Sequence, residues 1–421
     1  MEIIMVRTLA LFVVLIATTA VVSRTTADDL LVVPPATVGM SAEKLARVDV
    51  IMQGLVEDRQ LPGAVVLVAR HGQIAHLKSY GYRNVENRLP MTDDTVFRIY
   101  SMTKSLTSAV VLMLAEEEKL KLDDPVSRFV PEFSAIKVYT ADGGRTPKRP
   151  PTVRDLLRHT SGLTYGLFGN SAVDRMYRDA HVLSPDDDLT AFSAKVGRLP
   201  LEFDPGTQWK YSVASDVLGR VIEVCSGESF EKVLQDRLLN PLGMVDTGFH
   251  VPDDKSGRFA TVYSPAEPDG LRPVDVPQTS AFRKAPAFLS GGGGLVSTIH
   301  DYFRFLLMIS RGGSHDGGRL LSRESVRLMT TNQLPHEVKS IAFGNDIRRG
   351  VGFGLGFSVR KAMSEWDPDG RIGEYGWGGA ASTHYWVSPQ DDLIVITMEQ
   401  VTPYSFLTEW AVKKAIYDAV E

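Results

Sequence analysis

The chain has 421 residues, of which 43% are hydrophobic and 23% are charged, and its formal net charge at pH 7 is −5. This composition is ordinary for a globular protein with a large core, and the length allows one large domain or two. The slightly acidic balance, with no long basic run in the sequence, argues against nucleic-acid binding.

The first 27 residues have the layout of a secretory signal peptide. Arg7 precedes an apolar run at 9–22, and Thr25-x-Ala27 then offers a cleavage site made of small residues. The run of roughly 15 residues is shorter than the ~20 of a membrane span. We therefore expect cleavage after Ala27 and export to the bacterial periplasm or medium, with no stable membrane anchor; an uncleaved signal anchor is the alternative. Cys225 is the only cysteine, so no internal disulfide can form, which fits a bacterial exported enzyme better than a eukaryotic one.

The elements that follow the signal begin with a helix and a hairpin. Apolar residues between 41 and 58 have helical spacing, and two strand-like runs at 63–69 and 73–80 are separated by His71-Gly72. The pattern predicts a β-hairpin with His71 in the turn. The long stretch from 101 to about 290 has helix and loop patterns punctuated by proline and glycine.

Strand-like runs return in the last third of the chain. They lie at 354–359, around Tyr385-Trp386 and at 394–399, and an amphipathic helix at 405–420 ends the sequence. Strands at both ends with helices between them predict an α+β fold whose sheet is completed by the last third of the chain. The helical middle would lie on one side of the sheet, and the cleft between the two parts is the natural place for a site.

Ser101-Met102-Thr103-Lys104 is the most informative segment of the chain. One helical turn places its serine and lysine on the same face, where a neutral amine could take the proton of the hydroxyl. Ser-x-x-Lys also begins at Ser41 and at Ser229, and both of these serines are predicted to be helix N-caps. Apolar residues at 106–115 predict that only the helix after Ser101 is central and buried. The motif alone leaves a structural role open.

Several other motifs are absent or weak. The sequence has no Gly-x-Ser-x-Gly, no His-x-x-x-His and no paired cysteines, so a nucleophile elbow and a metal site are unsupported. Gly352-x-Gly354-x-Gly356 lacks the helix and spacing of a dinucleotide loop and is interpreted as a glycine-rich strand. The four glycines at 291–294 could approach a ligand closely, but a flexible lead-in to a helix start is the favoured interpretation.

Two further segments combine with Ser101. Tyr211 stands just before a predicted helix, and the triplet Trp377-Gly378-Gly379 stands in a late strand. With these motifs the chain resembles the serine β-lactamase and penicillin-binding fold, and within it the class C β-lactamase-like branch of family VIII carboxylesterases. The resemblance runs from about Val38 to the C-terminus. It includes the ordered segments 152–162, 241–247 and 294–298.

The resemblance implies one β-lactamase-like serine hydrolase domain over 28–421. Its antiparallel sheet, flanked by N- and C-terminal helices, would come from residues at about 40–100 and 295–421. An all-helical insertion at about 101–294 would complete the domain.

The resemblance also implies roles for individual residues. Ser101 would be the nucleophile, Lys104 its base partner and Tyr211 a general acid and base. The N–H groups of Ser101 and Ala380 would form the oxyanion hole, where fixed donors stabilise developing charge without reorganisation. Gly378 and Gly379 beside them would let an acyl group lie close to the backbone.

Two departures from the family bear on the substrate. β-Lactamases of this branch carry an asparagine two residues after the tyrosine, where this chain has Val213, and a cationic third motif, where it has Trp377. Both changes would replace polar recognition by apolar wall, which disfavours anionic peptide-like substrates. Trp-Gly-Gly looks like the esterase members. His159 lies in a segment that the family shares, and it is interpreted as structural and distant from the nucleophile.

Together these observations predict a secreted serine hydrolase that acts on short-chain carboxylic esters through an acyl-enzyme on Ser101. The expected partner is a small-molecule ester or amide, with no metal or cofactor. A β-lactamase, a D-amino-acid or nylon-oligomer amidase and an acyltransferase are alternatives with the same chemistry. A non-catalytic penicillin-receptor-like binding protein is an alternative of another class, and the presence of all three implied catalytic residues argues against it.

Overall fold

An antiparallel sheet joins the two ends of the chain. The computed structural model describes residues 31–267 and 270–421, so the predicted signal peptide at 1–27 lies outside the described residues. The strands are β1 (Gly63–Arg70), β2 (Gln73–Asn84), β3 (Leu89–Pro90), β4 (Phe97–Arg98), β5 (Val262–Pro265), β6 (Leu271–Asp275), β7 (Val296–Ser297), β8 (Ser314–His315), β9 (Gly318–Arg319), β10 (Ile341–Phe343), β11 (Asp346–Arg348), β12 (Val351–Phe353), β13 (Ser358–Arg360), β14 (Tyr375–Gly378), β15 (His384–Ser388) and β16 (Leu393–Glu399). The main sheet has the order β12-β13-β14-β15-β16-β1-β2-β3, and its neighbouring strands are antiparallel.

Helices cover the sheet and fill the middle of the chain. They are α1 (Ala42–Leu45), α2 (Arg47–Glu57), α3 (Thr103–Glu116), α4 (Val153–Leu157), α5 (Ala172–Asp179), α6 (Leu189–Gly197), α7 (Ala214–Ser226), α8 (Phe230–Leu234), α9 (Asn240–Leu242), α10 (Ile299–Ser310), α11 (Arg323–Thr330) and α12 (Leu407–Asp418). This arrangement agrees with the predicted α+β class. Among the described residues, no helix has the length and apolar character needed to cross a membrane.

Strand β1 explains why the sheet is buried on both faces. Its alternate residues enter two apolar clusters: Val65, Leu67 and Ala69 belong to one, and Ala64, Val66 and Val68 belong to the other. Side chains of a strand point alternately to the two faces of its sheet, so a strand covered on both sides has an almost continuous apolar sequence. Helices α2 and α12 contribute to the second cluster.

The predicted hairpin is confirmed. His71 and Gly72 both have left-handed backbone angles, with φ of 53° and 73°, which is the geometry of a tight two-residue turn between β1 and β2. The helix predicted at 41–58 is instead two helices, α1 and α2, separated by a turn at Ala46.

The strand predicted at 354–359 is correct only at 358–359, which lie in β13, and is wrong at 354–357. Strands β12 and β13 form a hairpin, and the residues between them make a turn in which Gly356 has φ of 102°. A Cβ atom on Gly354 would lie 1.9 Å from the carbonyl oxygen of Met329, and one on Gly356 would lie 2.5 Å from Ser108 Oγ. These glycines therefore allow close packing of the turn, and only Gly352 lies within a strand. A second unpredicted hairpin, β5–β6, lies in the otherwise helical middle.

Helix α3 is the core of the helical region. Its residues from Thr103 to Leu114 are all buried, and a helix that is buried all round packs against neighbours on every side. It contacts α7, and the turn at Tyr100–Met102 that precedes it contacts β14. The short ladder of β4 with β7 brings the 291–294 loop beside the start of α3. Sheet and helices therefore meet at the beginning of α3.

Candidate active site

Ser101 lies in a 3-10 turn at the start of α3. The turn spans Tyr100–Met102, and Tyr100 has φ of 39°, a backbone conformation that is uncommon and costly for a bulky residue. The ring of Tyr100 packs edge-on against Phe282 at 5.8 Å between centroids. Just before the turn, the fully buried Arg98 forms an ion pair with Asp275, with 2.7 Å between Nε and Oδ2. These contacts fix the backbone that presents the serine.

The other two Ser-x-x-Lys matches have the predicted structural role. Ser41 Oγ accepts the Lys44 N–H at 3.4 Å, and Ser229 Oγ accepts the Lys232 N–H at 3.3 Å. Both serines are therefore helix N-caps, which satisfy a backbone donor that the helix itself leaves free. Only the Ser101 match joins the serine to the lysine side chain.

Lys104 is buried, with 1% of its surface exposed. Its Nζ lies 3.2 Å from Ser101 Oγ and donates a hydrogen bond to the Gly292 carbonyl oxygen at 2.5 Å. In the described part of the chain these hydrogen-bond partners are a hydroxyl and a carbonyl, with no carboxylate among them. The amine is thus aimed at the serine without a counter-charge in direct contact.

Asp216 holds the loop that carries the Gly292 carbonyl. Its Oδ1 accepts hydrogen bonds from Ser290 Oγ at 2.5 Å and from the Gly292 N–H at 3.0 Å. The Tyr165 hydroxyl lies 3.5 Å from Oδ2. Burial raises the pKa of Asp216 above its ordinary value, because its effect outweighs the lowering by the charge of Lys104 and by the hydrogen bonds.

The interpretation of the 291–294 glycines as a flexible lead-in is wrong. A Cβ atom on Gly291 would lie 2.4 Å from the Ser215 carbonyl oxygen, and one on Gly292 would lie 2.5 Å from Asp216 Oδ2. Glycine is therefore required at 291 and 292 for the close packing of this loop beside Lys104. Sequence reasoning missed both Asp216 and Gly292. An isolated acidic residue in the apolar first turn of α7 was the available signal.

Tyr211 faces Lys104 from the other side. The Lys104 Nζ lies 4.5 Å from the centroid of the Tyr211 ring, and the Tyr211 hydroxyl accepts a hydrogen bond from Trp377 Nε1 at 3.3 Å. The tyrosine is 6% exposed and is surrounded by aromatic rings. Those rings, with centroid distances between 5.0 and 5.6 Å, include His159, Tyr165, Phe168, Phe343 and Trp377.

His159 is closer to the site than the sequence indicated. Its buried ring lies 5.0 Å from the Tyr211 ring, and its Nδ1 is 3.3 Å from Ser212 Oγ. Burial, helped by the charge of Lys104, lowers the pKa of His159 well below its ordinary value. The imidazole is thus neutral and packs behind the tyrosine.

A cavity of about 320 Å³ opens beside Ser101. Its lining residues are Ser101, Phe168, Tyr211, Phe343, Asp346, Arg348, Trp377, Gly378, Gly379, Ala380, Tyr404 and Phe406. The structure thus brings Ser101 to the same cavity as the Trp377–Ala380 segment, where the oxyanion hole is predicted. A Cβ atom on Gly379 would lie 2.4 Å from the Ile99 carbonyl oxygen, so a glycine is needed there.

Val213 does not have the predicted place in the cavity wall. It is fully buried in the apolar core at the start of α7 and is absent from the residues that line the cavity. The prediction that it replaces an amide-binding asparagine with apolar wall is therefore wrong. The amide of the family's asparagine is absent from this chain, but Val213 packs in the core and does not line the cavity. Trp377 alone provides the apolar surface that both departures were expected to add.

Comparisons with known proteins follow the same architecture. The sequence model of the β-lactamase family matches residues 48–415. Protein Rv1367c of Mycobacterium tuberculosis is 38% identical over 356 residues, which cover 82% of this chain and 86% of that protein. Esterase EstB of Burkholderia gladioli is 36% identical over 282 residues, which cover 63% of this chain and 70% of the esterase. The solved structure of EstCE1, a hydrolase with promiscuous acyltransferase activity, matches with a TM-score of 0.75 at 27% identity, covering 89% of this chain and 99% of EstCE1.

Labelling with a reactive phosphonate tests the role of Ser101. We expect the probe to modify the Ser101 peptide only, and Ser101→Ala to abolish both labelling and turnover while the melting temperature stays close to that of the wild type. Ser41→Ala and Ser229→Ala are matched controls that remove a helix cap, worth about 1 kcal/mol of stability each, and retain labelling. Turnover near the wild-type rate in Ser101→Ala would show that the nucleophile lies elsewhere.

Substitution of the two proposed proton carriers tests the rest of the site. Lys104→Met and Tyr211→Phe should each lower kcat/KM by about 10²–10⁴-fold, the usual contribution of general acid–base catalysis. Tyr165→Phe is the matched control for the tyrosine, because burial and the neighbouring Asp216 raise the pKa of Tyr165 well above its ordinary value and keep it protonated. We expect a smaller loss there. Equal losses in the two tyrosine variants, measured by steady-state kinetics, would contradict the assignment of Tyr211.

Proposed function

Because this chain belongs to the β-lactamase family of serine hydrolases, we propose that it cleaves short-chain carboxylic esters through an acyl-enzyme on Ser101. The observation that carries the proposal is the 3.2 Å approach of Lys104 Nζ to Ser101 Oγ at the edge of an aromatic cavity. Membership of the family confirms the resemblance and the fold class that the sequence predicted.

The geometry supports a defined order of proton movements. Ser101 Oγ attacks the ester carbonyl, and its proton passes to the Lys104 amine, which can accept it only in its unprotonated form. The carbonyl oxygen becomes negatively charged and accepts hydrogen bonds from the Ser101 and Ala380 N–H groups. Tyr211 then gives a proton to the departing alcohol, and Lys104 restores the tyrosine. Water then attacks the acyl-enzyme, the same proton transfers run in reverse, and the carboxylic acid is released from Ser101.

The cavity wall favours an ester over a β-lactam. Trp377 stands where β-lactamases of the related branch carry a cation, and its indole N–H is already donated to the Tyr211 hydroxyl. The remaining wall is mostly aromatic, which suits an apolar acyl chain. Esterase EstB supports this choice by the activity that its name describes.

Acyl transfer to an alcohol is the second candidate. The acyl-enzyme would lie in a cavity that phenylalanine, tyrosine and tryptophan side chains enclose, where an apolar alcohol competes well with water. EstCE1, which is described as having promiscuous acyltransferase activity, supports this reading. Hydrolysis and transfer share every step up to the acyl-enzyme, so one site serves both.

We expect neutral p-nitrophenyl butyrate to be turned over with a kcat/KM at least ~10²-fold above that of a chromogenic cephalosporin, because losing polar recognition of a substrate group costs ~1–3 kcal/mol per contact. Trp377→Phe is the control, since it keeps the aromatic wall and removes only the N–H given to Tyr211. This variant should lower kcat/KM for both substrates by the same factor, so that the ratio of the two values is unchanged. A cephalosporin rate that equals the butyrate rate would identify a β-lactamase instead.

Export is a separate part of the proposal and rests on the signal-like sequence at 1–27 alone. Expression of the full chain in a bacterial host should give a mature protein in the periplasm or medium that begins at Asp28. N-terminal sequencing of the recovered protein measures this directly. Recovery of the intact N-terminus, beginning at Met1, in the membrane fraction would favour an uncleaved anchor.

A further inference from the structure

Arg348 is a buried cation in the wall of the catalytic cavity. It ends β11, is 8% exposed and lines the same cavity as Ser101. Its Cζ lies 4.4 Å from the centroid of the Phe343 ring, 4.9 Å from that of Phe406 and 5.7 Å from that of Trp377. Aromatic faces stabilise a cation electrostatically, but they accept none of the five N–H donors of a guanidinium in ordinary hydrogen bonds.

The charge of Arg348 is poorly paired within the described residues. Its Nε is buried without a hydrogen-bond partner, and the Asp346 carboxylate that lies 3.6 Å away is itself half exposed. The Tyr404 hydroxyl also lies beside the guanidinium. A buried charge that lacks a closely bound partner is costly, so its presence in the cavity wall calls for an explanation.

Two other buried arginines of this fold are paired differently. Arg360, 5% exposed, forms an ion pair with the buried Asp367, and Arg98, 0% exposed, forms one with Asp275 at 2.7 Å. In both cases a carboxylate contacts the guanidinium directly. Among the residues that the structure describes, each of the three arginines leaves one guanidinium nitrogen without a hydrogen-bond partner, so Arg348 differs in two other respects: its nearest carboxylate lies 3.6 Å away and is half exposed, and its side chain lines the catalytic cavity. A ligand in that cavity can supply a closer carboxylate.

We propose that Arg348 binds a carboxylate of the substrate, so that the preferred substrates are esters that also carry a carboxylate. This inference rests on the proposed esterase function and names its substrate class. A guanidinium can bind a carboxylate through two parallel hydrogen bonds, which fixes both position and orientation. The aromatic rings around Arg348 hold its side chain in place before the ligand arrives, which lowers the entropy lost on binding.

The position of this cation explains why the Trp377 departure does not exclude anionic substrates. The prediction that the site disfavours anionic substrates considered only Val213 and Trp377, whereas Arg348 comes from a different strand, β11. A carboxylate bound to Arg348 would lie at the aromatic end of the cavity, beside Phe343 and Phe406. That placement differs from one set by a cation at position 377, so the anion site is compatible with an esterase that does not favour β-lactams.

Two pairs of esters test the proposal and locate the carboxylate. Monoethyl glutarate against ethyl pentanoate places the charge on the acyl side, and 4-acetoxybenzoate against 4-methylphenyl acetate places it on the alcohol side. For each pair, kcat/KM for the anionic ester divided by that for the neutral ester is measured by pH-stat titration. In at least one pair, Arg348→Met should lower this ratio by about 10- to 100-fold, the usual effect of losing a charge-assisted hydrogen bond.

Matched variants control the measurement. Arg349→Met removes the same charge from the next residue, which is exposed and does not line the cavity, and its ratios should stay within about twofold of the wild type. Asp346→Asn removes the carboxylate that competes with the ligand for Arg348, so its ratio should rise. If Arg348→Met does not fold, Arg348→Lys, which keeps the charge but loses the two-pronged geometry, must lower the ratio several-fold.

The outcomes separate the two proposals. Ratios for both pairs that are equal in wild type and Arg348→Met, with Ser101-dependent turnover of the neutral esters intact, overturn the role of Arg348 only. Absence of Ser101-dependent turnover of every ester overturns the esterase proposal. In that case calorimetric titration with glutarate still decides the anion site: binding to the wild type that Arg348→Met abolishes and Arg349→Met retains supports it, and no binding to the wild type overturns it.

Discussion

The burial of the Lys104 amine is the constraint on which the site depends. A lysine that is 1% exposed must have its hydrogen bonds supplied by the protein, and here a backbone carbonyl and the Ser101 hydroxyl supply them. The carbonyl belongs to Gly292, whose own N–H is held by Asp216. A carboxylate one layer away thus orients the loop, while the amine itself has no fixed counter-charge in contact. The aromatic ring of Tyr211 covers the side that remains.

Local patterns in the sequence were sufficient to predict the parts of the fold that local chemistry determines. The β1–β2 hairpin follows from apolar runs around His71-Gly72, and the helix caps at Ser41 and Ser229 follow from residue type at a helix start. The β12–β13 turn could not be predicted in this way. Its glycines are explained by Met329 and Ser108, which come from other parts of the chain.

The candidate site shows the same division. Ser101 and Lys104 were predicted from a motif, because their chemistry constrains residue type at a fixed spacing, and Tyr211 was predicted from the resemblance to the family. Val213 was assigned to the cavity and lies in the core, since which way a side chain faces at a helix start depends on tertiary packing. Arg348 and Asp216 were not predicted, because neither belongs to a sequence motif. A lone charged residue in a sequence is ordinary, and only burial beside a cavity or a loop makes it informative.

The central position of β1 has a consequence for how the chain reaches its active form. Its register pairs Ala64 with Glu399 on β16, so the first strand in the sequence is hydrogen-bonded to the last strand in the sequence. Contacts between residues so far apart in sequence form late, because a long loop must close first. Until β16 arrives, β1 presents an open, apolar edge, which is a template for aggregation. A chain truncated before β16 would keep this edge unpaired, so we expect it to aggregate as well as to lack activity.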